Sequence, residues 1–345
     1  MTSVEELTVQ RLQTLLAPDD RVACFEVSVE RTDRHHNQRP PIALTGTVQT
    51  DRIRGAILEE LQRLYGDLDV RDNLSVLEGA GNALTTDRHV LPIRGEPRAD
   101  AEQVTQVLYG AALTAYDTQE GWRRVRTPSG YLGWTDGEAL TEPVCNGTAA
   151  GDASAATPAE WAPDAVVVAA QAPITRSEMA HETVPAGVDC CVEARDGDAV
   201  RISFRNGTRA TVPVATVRET STPTSKDEVV TVARQFLQTP YEWGGMTADG
   251  IDCSGLVWIA YTALGVTLPR DADQQRALGT PVSRKELEAG DLLFFPGHVA
   301  ISLGGSEYIH ASGSADAVTV NSLDPDDERY VEGLDADLSA MKRLL

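Results

Sequence analysis

The stretch DGIDCSGLVWIAYTALGV, Asp249 to Val266, decides how this chain is read. A turn-rich approach of Asp and Gly runs into an apolar helix. Leu256, Val257, Ile259, Ala260, Ala263 and Leu264 supply its apolar positions, Gly265 is its stop, and Pro269 lies just beyond. Cys253 therefore falls in the first turn. There the unpaired backbone N–H groups and the helix dipole favour thiolate over thiol, so the expectation is a lowered pKa and a nucleophile at neutral pH. A free cysteine is often only a small buried hydrophobe, and the downstream sequence decides between the two.

Downstream, GDLLFFPGHVAISLG reads as two strands joined by Pro296 and Gly297, with His298 opening the second. The next strand, reached through the turn Gly304-Gly305, carries His310 in SEYIHASG. Pairing of the two strands puts these histidines side by side. One takes the thiol proton, and the other holds the first in the required tautomer. Upstream, Asp227 to Leu237 reads as a helix and TPYEWGGMTADGID as irregular chain.

Residues 225 to 323 resemble the NlpC-type cysteine peptidases, papain-like enzymes that cleave γ-D-glutamyl bonds in bacterial cell-wall peptides. The matching pieces are PYEWGG (Pro240 to Gly245), DCSGLV (Asp252 to Val257), LPRDADQQ (Leu268 to Gln275), GDLLFF (Gly290 to Phe295), HVAISLG (His298 to Gly304) and YIHASG (Tyr308 to Gly313). The resemblance implies Cys253 as nucleophile, His298 as general base and His310 as the orienting third residue. It also implies Tyr241 as a hydroxyl near the developing oxyanion, beside the Cys253 backbone N–H. Ser254 and Asp271 match positions that line the substrate pocket in members that recycle wall peptides; Asp271 also reads as a plain helix cap. The short loop between Phe295 and His298, and Ser302 where an aromatic is common, depart from the pattern and bear on pocket shape.

Ahead of this domain, residues 86–143 break into short strands, HVLPIRGEP, QVTQVLYGAALTAYD and GWRRVRTPSGYLGWTD, separated by Gly, Pro and Asp. They read as a small barrel and resemble a bacterial SH3-like domain, with YLGWTDGEAL as its closing strand. In recycling-type relatives such a domain closes the pocket with an aromatic, and carboxylates meet a free N-terminal amine. Tyr131 matches that aromatic, or else packs the barrel; Asp271 matches the anion, with Glu102 as a second. Residues 165–218 read as a second SH3-like barrel, its DG and NG dipeptides marking hairpins. Residues 144–164, rich in Ala, Gly, Ser, Thr and Pro, form a linker.

Residues 1–85 read as an α/β unit: a helix near Val4 to Leu16, a strand near Val22 to Val29, and a strand leading into a helix from Asp51 to Tyr65 and then another strand. The Leu-Thr-Gly, helix, strand order resembles the phospholipid-associated BON fold, but the charge of the chain points to scaffolding. His35 and His36 are expected in a loop, with no partner ligand at a workable spacing. Cys24, Cys145, Cys190 and Cys191 show no CxxC spacing, and Cys190 and Cys191 are expected as buried small hydrophobes on opposite faces of a strand.

The formal charge of -22, with Asp and Glu at 52 against Lys and Arg at 30, argues against nucleic acid and anionic lipid as partners. Only Lys226, Lys285 and Lys342 are lysines. An acidic, lysine-poor surface fits a concentrated-salt cytosol and a halophilic host. No apolar run is long enough to span a membrane, and the N-terminal stretch lacks the pattern of a signal peptide, so a cytoplasmic protein is expected.

The expectation is thus an α+β chain: a papain-like cysteine peptidase domain at 225–345, preceded by SH3-like β-barrels and a small N-terminal α/β unit. Its expected reaction is hydrolysis of a γ-glutamyl bond in a short free peptide, with no metal or organic cofactor. An amidase or acyltransferase on the same Cys-His pair stays open, as does a non-catalytic peptide-binding module. In a salt-loving archaeon, scavenged bacterial fragments or an unrelated γ-glutamyl peptide would serve as substrate.

Overall fold

The computed structural model describes residues 3–31, 41–66, 69–144, 161–177, 179 and 181–345. His35, His36, Cys145, Asn146 and most of the expected linker lie outside the described residues.

Helix Val4–Leu16 starts on a Ser3 capping box, and helix Asp51–Tyr65 starts on Thr50, whose hydroxyl accepts from the Ile53 N–H. Ile53, Ile57 and Leu61 recur at helical spacing and are buried on the sheet formed by Phe25–Arg31, Ile42–Val48 and Val70–Val76. The last two strands pair in parallel because the helix between them returns the chain. Gly46 holds a left-handed φ of 124°, and a Cβ there would sit 1.9 Å from the Glu26 carbonyl oxygen, so only glycine fits this strand pairing.

The next sheet starts at Asn82, a little before the expected boundary, because Asn82–Thr86 pairs with both Leu113–Gln119 and Leu140–Thr141. Its strand order runs from Leu140–Thr141 at one edge to Gln103–Leu108 at the other. These edges do not pair with each other, so the expected barrel is an open sheet. The Gln103–Leu108 edge lies against the last domain instead. The Met246 N–H donates to the Gln106 side chain at 2.9 Å, and the Gln103 amide donates to the Trp243 carbonyl at 3.0 Å. Gly244, with φ 74°, permits that approach, since a Cβ there would lie 2.9 Å from the Gln103 carbonyl oxygen.

The second run of strands builds a six-stranded sheet plus a two-stranded one, again without closure. The DG and NG hairpins fall where expected, between Asp189–Asp196 and Ala199–Ser203 and between the latter and Arg209–Pro213. Cys190 is fully buried, but Cys191 is only half-buried, because the strand turns its alternate face outward. The buried residues of this sheet run without a break into the core of the last domain, from Val167 and Ile202 through Trp258 to Ile301.

In that last domain, helix Lys226–Arg234 and helix Cys253–Thr262 pack on an antiparallel sheet. Its strands run in the order Thr280–Pro281, Ala340–Arg343, Leu292–Phe295, His298–Gly304, Glu307–Ser312 and Ala317–Ser322. Every residue from Cys253 to Tyr261 is buried, so the helix is a central element rather than an amphipathic surface one. Among the described residues no helix is long and apolar enough to cross a membrane.

Candidate active site

Cys253 opens its helix because Asp252 caps it, accepting from the Gly255 N–H at 2.6 Å. The same carboxylate accepts from the Gly244 N–H at 2.8 Å and from the fully buried guanidinium of Arg270 at 2.7 and 3.0 Å. Arg270 also donates to Ser254 Oγ at 2.8 Å and, across to the first open sheet, to Thr105 Oγ1 at 2.9 Å. A buried charge pair of this kind stands only when every donor is satisfied, and here its hydrogen bonds lock the loop and helix that carry the cysteine.

Cys253 is 7 % exposed, with the N–H groups of Val299 and Ser254 directed at its sulfur. Burial nevertheless pushes the thiol up to about 11, with the Asp252 charge adding to it. This corrects the expectation of a lowered pKa: desolvation outweighs the helix start and raises the thiol instead.

Pairing of strand His298–Gly304 with Glu307–Ser312 brings His298 Nε2 within 2.7 Å of His310 Nδ1. His310 Nε2 lies 2.8 Å from Asn321 Oδ1, and Asn321 Nδ2 donates to the Arg329 carbonyl at 2.9 Å. That last bond fixes the amide. Asn321 must present its oxygen, so His310 donates from Nε2 and accepts at Nδ1. His298 must then carry its proton on Nε2, which leaves Nδ1 unprotonated as the base. Burial, with His310 beside it, pulls His298 down to about 4, so its resting form is neutral.

Tyr241 is half-buried and close enough to Cys253 for a thiolate there to raise its phenol, with burial the larger cause, to about 12. Its phenol therefore keeps its proton at neutral pH and can donate a hydrogen bond.

From Cys253 a cleft of 370 Å³ extends toward the first sheet, lined by Ser254, Trp243, Glu102, Tyr131, Asp271 and Arg21 among others. All four expected pocket residues thus meet at one cleft. Tyr131 is buried yet lines its wall, and Ser254 is engaged by Arg270 and Asp252 as well. Burial raises the Asp271 carboxyl, while Arg270 and Arg21 pull it back.

Sequence reasoning missed Arg21, Arg270 and Asn321. Asn321 left a faint trace, since Thr319 and Asn321 put polar side chains on one face of a strand next to His310. Arg270 sits inside LPRDADQQ, but nothing local shows that it is buried. Arg21 left no trace: it is one polar residue in a turn about 230 residues before the cysteine.

Residues 238–331 match the NlpC/P60 family, and residues 93–140 match the bacterial dipeptidyl-peptidase Sh3 domain. Dipeptidyl-peptidase 6 of Lysinibacillus sphaericus is 43% identical over 122 residues, taking in 34% of this chain and 44% of that protein. A gamma-D-glutamyl-L-lysine dipeptidyl-peptidase of Bacillus cereus is 27% identical over 240 residues, 63% of this chain and 69% of that one. The chain spans about half the length of the first curated relatives it matches. The crystal structure of an NlpC/P60 family protein from Bacillus cereus superposes with a TM-score of 0.61 at 21% identity, covering 76% of this chain and all of that one, which is a likeness of fold. The chain carries a papain-like NlpC/P60 domain together with an SH3-like domain, in a structure of mixed helix and sheet.

Proposed function

We propose that this chain is a cysteine endopeptidase hydrolysing a γ-glutamyl bond, γ-D-glutamyl to a diamino acid, in short free peptides. The observation that carries the reading is the hydrogen-bonded chain from His298 through His310 to Asn321 on the strands beside Cys253, which leaves His298 with an open base nitrogen. Cys253 attacks the γ-carbonyl carbon while its proton passes to His298 Nδ1. The carbonyl π electrons move to oxygen, where Tyr241 and the backbone N–H groups at the helix start stabilise the charge. The tetrahedral adduct collapses, the C–N bond breaks, and His298 returns the proton to the leaving amine. Water then cleaves the thioester and restores the thiol.

The cleft end formed by Glu102, Tyr131 and Asp271 supports recognition of a free N-terminal amine two residues before the cut. The family match at residues 93–140 and the contact of Gln103–Leu108 with the loop before Cys253 support reading the first sheet as an open SH3-like domain and the second as its relative. The helices and sheet before Asn82 support an N-terminal α/β unit. The acidic, lysine-poor composition supports a halophilic, cytoplasmic setting. The test is mass spectrometry of products from a panel of γ-glutamyl and wall-derived peptides, each free and N-acetylated. Cleavage at the γ-glutamyl bond of the free forms is expected. Cleavage only at α-peptide bonds, or none of any panel member, overturns the reading.

A further inference from the structure

The carboxylate expected to meet the substrate amine already has a partner from the far end of the chain. Arg21 Nη1 donates to Asp271 Oδ2 at 2.8 Å and to Asp273 Oδ1 at 2.9 Å. Its Nη2 donates to Asp273 Oδ2 at 2.7 Å and Asp19 Oδ2 at 2.9 Å, and its Nε to Asp19 Oδ1 at 2.8 Å. These bonds use every N–H of the guanidinium. The side chain therefore has no donor left for a ligand, although it lines the cleft.

The segment is anchored twice more. The Leu132 N–H donates to the Arg21 carbonyl at 2.6 Å, directly beside Tyr131. Gln274 donates to Asp19 at 2.7 Å from the turn after Asp271. The N-terminal segment, the first sheet and the catalytic domain thus meet at one residue. Charge decides what ligand the junction accepts. Asp19, Asp271, Asp273 and Glu102 surround the lone charge of Arg21, and the Arg270 charge is matched by Asp252. The cleft end stays acidic with Arg21 in place, so it suits a cation and repels a carboxylate.

We propose that Arg21 is a positioning residue for substrate selectivity: it holds one edge of the Asp271 carboxylate so that the other edge is oriented toward a free ammonium group in the cleft. The inference rests on the amine-recognising cleft proposed for this chain. Arg21 clamps a carboxylate whose burial would otherwise favour its neutral form, and the groups facing Asp271 besides Arg21 are Arg270, Asp252, Asp19, Asp273, Tyr131 and Glu102. Removal of Arg21 takes away one of the two cations that favour ionisation. Asp271 then protonates at higher pH, and the ammonium loses a charged acceptor below that point.

The experiment measures kcat/KM for one γ-glutamyl peptide, free and N-acetylated, across pH, on the parent, R21Q, R21K, D271N and R21Q/D271N, with thermal midpoints for each. R21Q is expected to lose about tenfold of the parent's preference for the free amine, mainly in KM, the scale of one charge-assisted hydrogen bond. Its acid limb for the free peptide should move to higher pH. R21K, with fewer donors in a less fixed geometry, should fall between. The double variant should discriminate no worse than D271N, since Arg21 acts through Asp271. A folded R21Q that keeps both the parent's preference and its acid limb overturns the proposal; if R21Q does not fold, the same result in R21K overturns it. A parent with no preference for the free amine overturns the amine-recognising cleft itself and the role of Arg21 with it, and the parent measurement alone separates that failure from the first.

Discussion

The two ends of the cleft are built in different ways. At the reacting end, Cys253, His298, His310 and Asn321 come from one domain, on adjoining strands and the helix packed on them, and the last three are joined by hydrogen bonds. At the proposed recognition end, Arg21, Glu102, Tyr131 and Asp271 come from three regions of the chain, and ion pairs between partly exposed groups tie Arg21 to Asp271 and Asp273. The first arrangement needs one domain to fold. The second needs three regions to dock, so the proposed selectivity would depend on packing that has no part in the chemistry.

The sharpest way to break this contrast is to damage each end. C253A should abolish turnover, a loss of at least about a thousandfold. H310A should leave more activity than H298A, because it orients the base without exchanging the substrate proton, and N321A should cost about tenfold as the outermost support. None of these should change the preference for a free over an acetylated amine in whatever activity remains. Cys190→Ala, far from the cleft, should lower the thermal midpoint only. Equal losses from C253A and Cys190→Ala would remove the nucleophile from its role. An H310A variant as inactive as H298A would mean that the two histidines share the proton.

The same contrast governs how much was legible. Helices Val4–Leu16 and Asp51–Tyr65 begin and end where their caps and apolar spacing place them, because those signals are local. Cys253, His298 and His310 were readable because each sits on a regular element whose pairing follows from its own turn. The open sheets and the core shared between the second sheet and the catalytic domain were not readable, since they depend on which edge another domain covers. Arg21 is the extreme case. Only its pair with Asp19 is local; its place at the cleft comes from carboxylates about 250 residues away. The thiol pKa failed for a related reason: helix position is local, but burial is a property of the assembled fold.

Protonation offers a finer probe of the reacting end. In the proposed mechanism His298 is the base, and burial with the neighbouring His310 draws it to about 4. In D271N, where Asp271 no longer titrates, kcat/KM should stay level on the acid side until pH approaches that value, and then fall as His298 protonates. A limb near the ordinary histidine value of about 6.5 would mean a solvated imidazole and an open site. Stability should follow the same sign. Burial draws both His298 and His310 down on folding, so the unfolded chain binds more protons just below the ordinary value. Their contribution is fully present above about pH 6.5 and is lost as pH falls toward the folded values, a trend checked by thermal midpoints in H298Q.

Salt separates long-range charge from contact charge, and here the smallest effect on selectivity should accompany a large one on stability. With a net charge of -22 the folded chain repels itself, and that repulsion acts over distances that molar salt screens, so the thermal midpoint should climb through a sodium or potassium chloride series. The Arg21 pairs with Asp271 and Asp273, at 2.8 and 2.7 Å, are contacts no longer than the screening length of about 3 Å at 1 M. They persist when the long-range field has gone. The preference for a free amine should therefore change by less than about threefold over the same series, in keeping with a contact rather than a field. A flat midpoint would remove the halophilic reading. A preference that collapses in molar salt would show that the acidic cleft attracts the amine from a distance, in which case the orientation of Asp271 by Arg21 would no longer be what distinguishes the recognition end from the rest of the acidic surface.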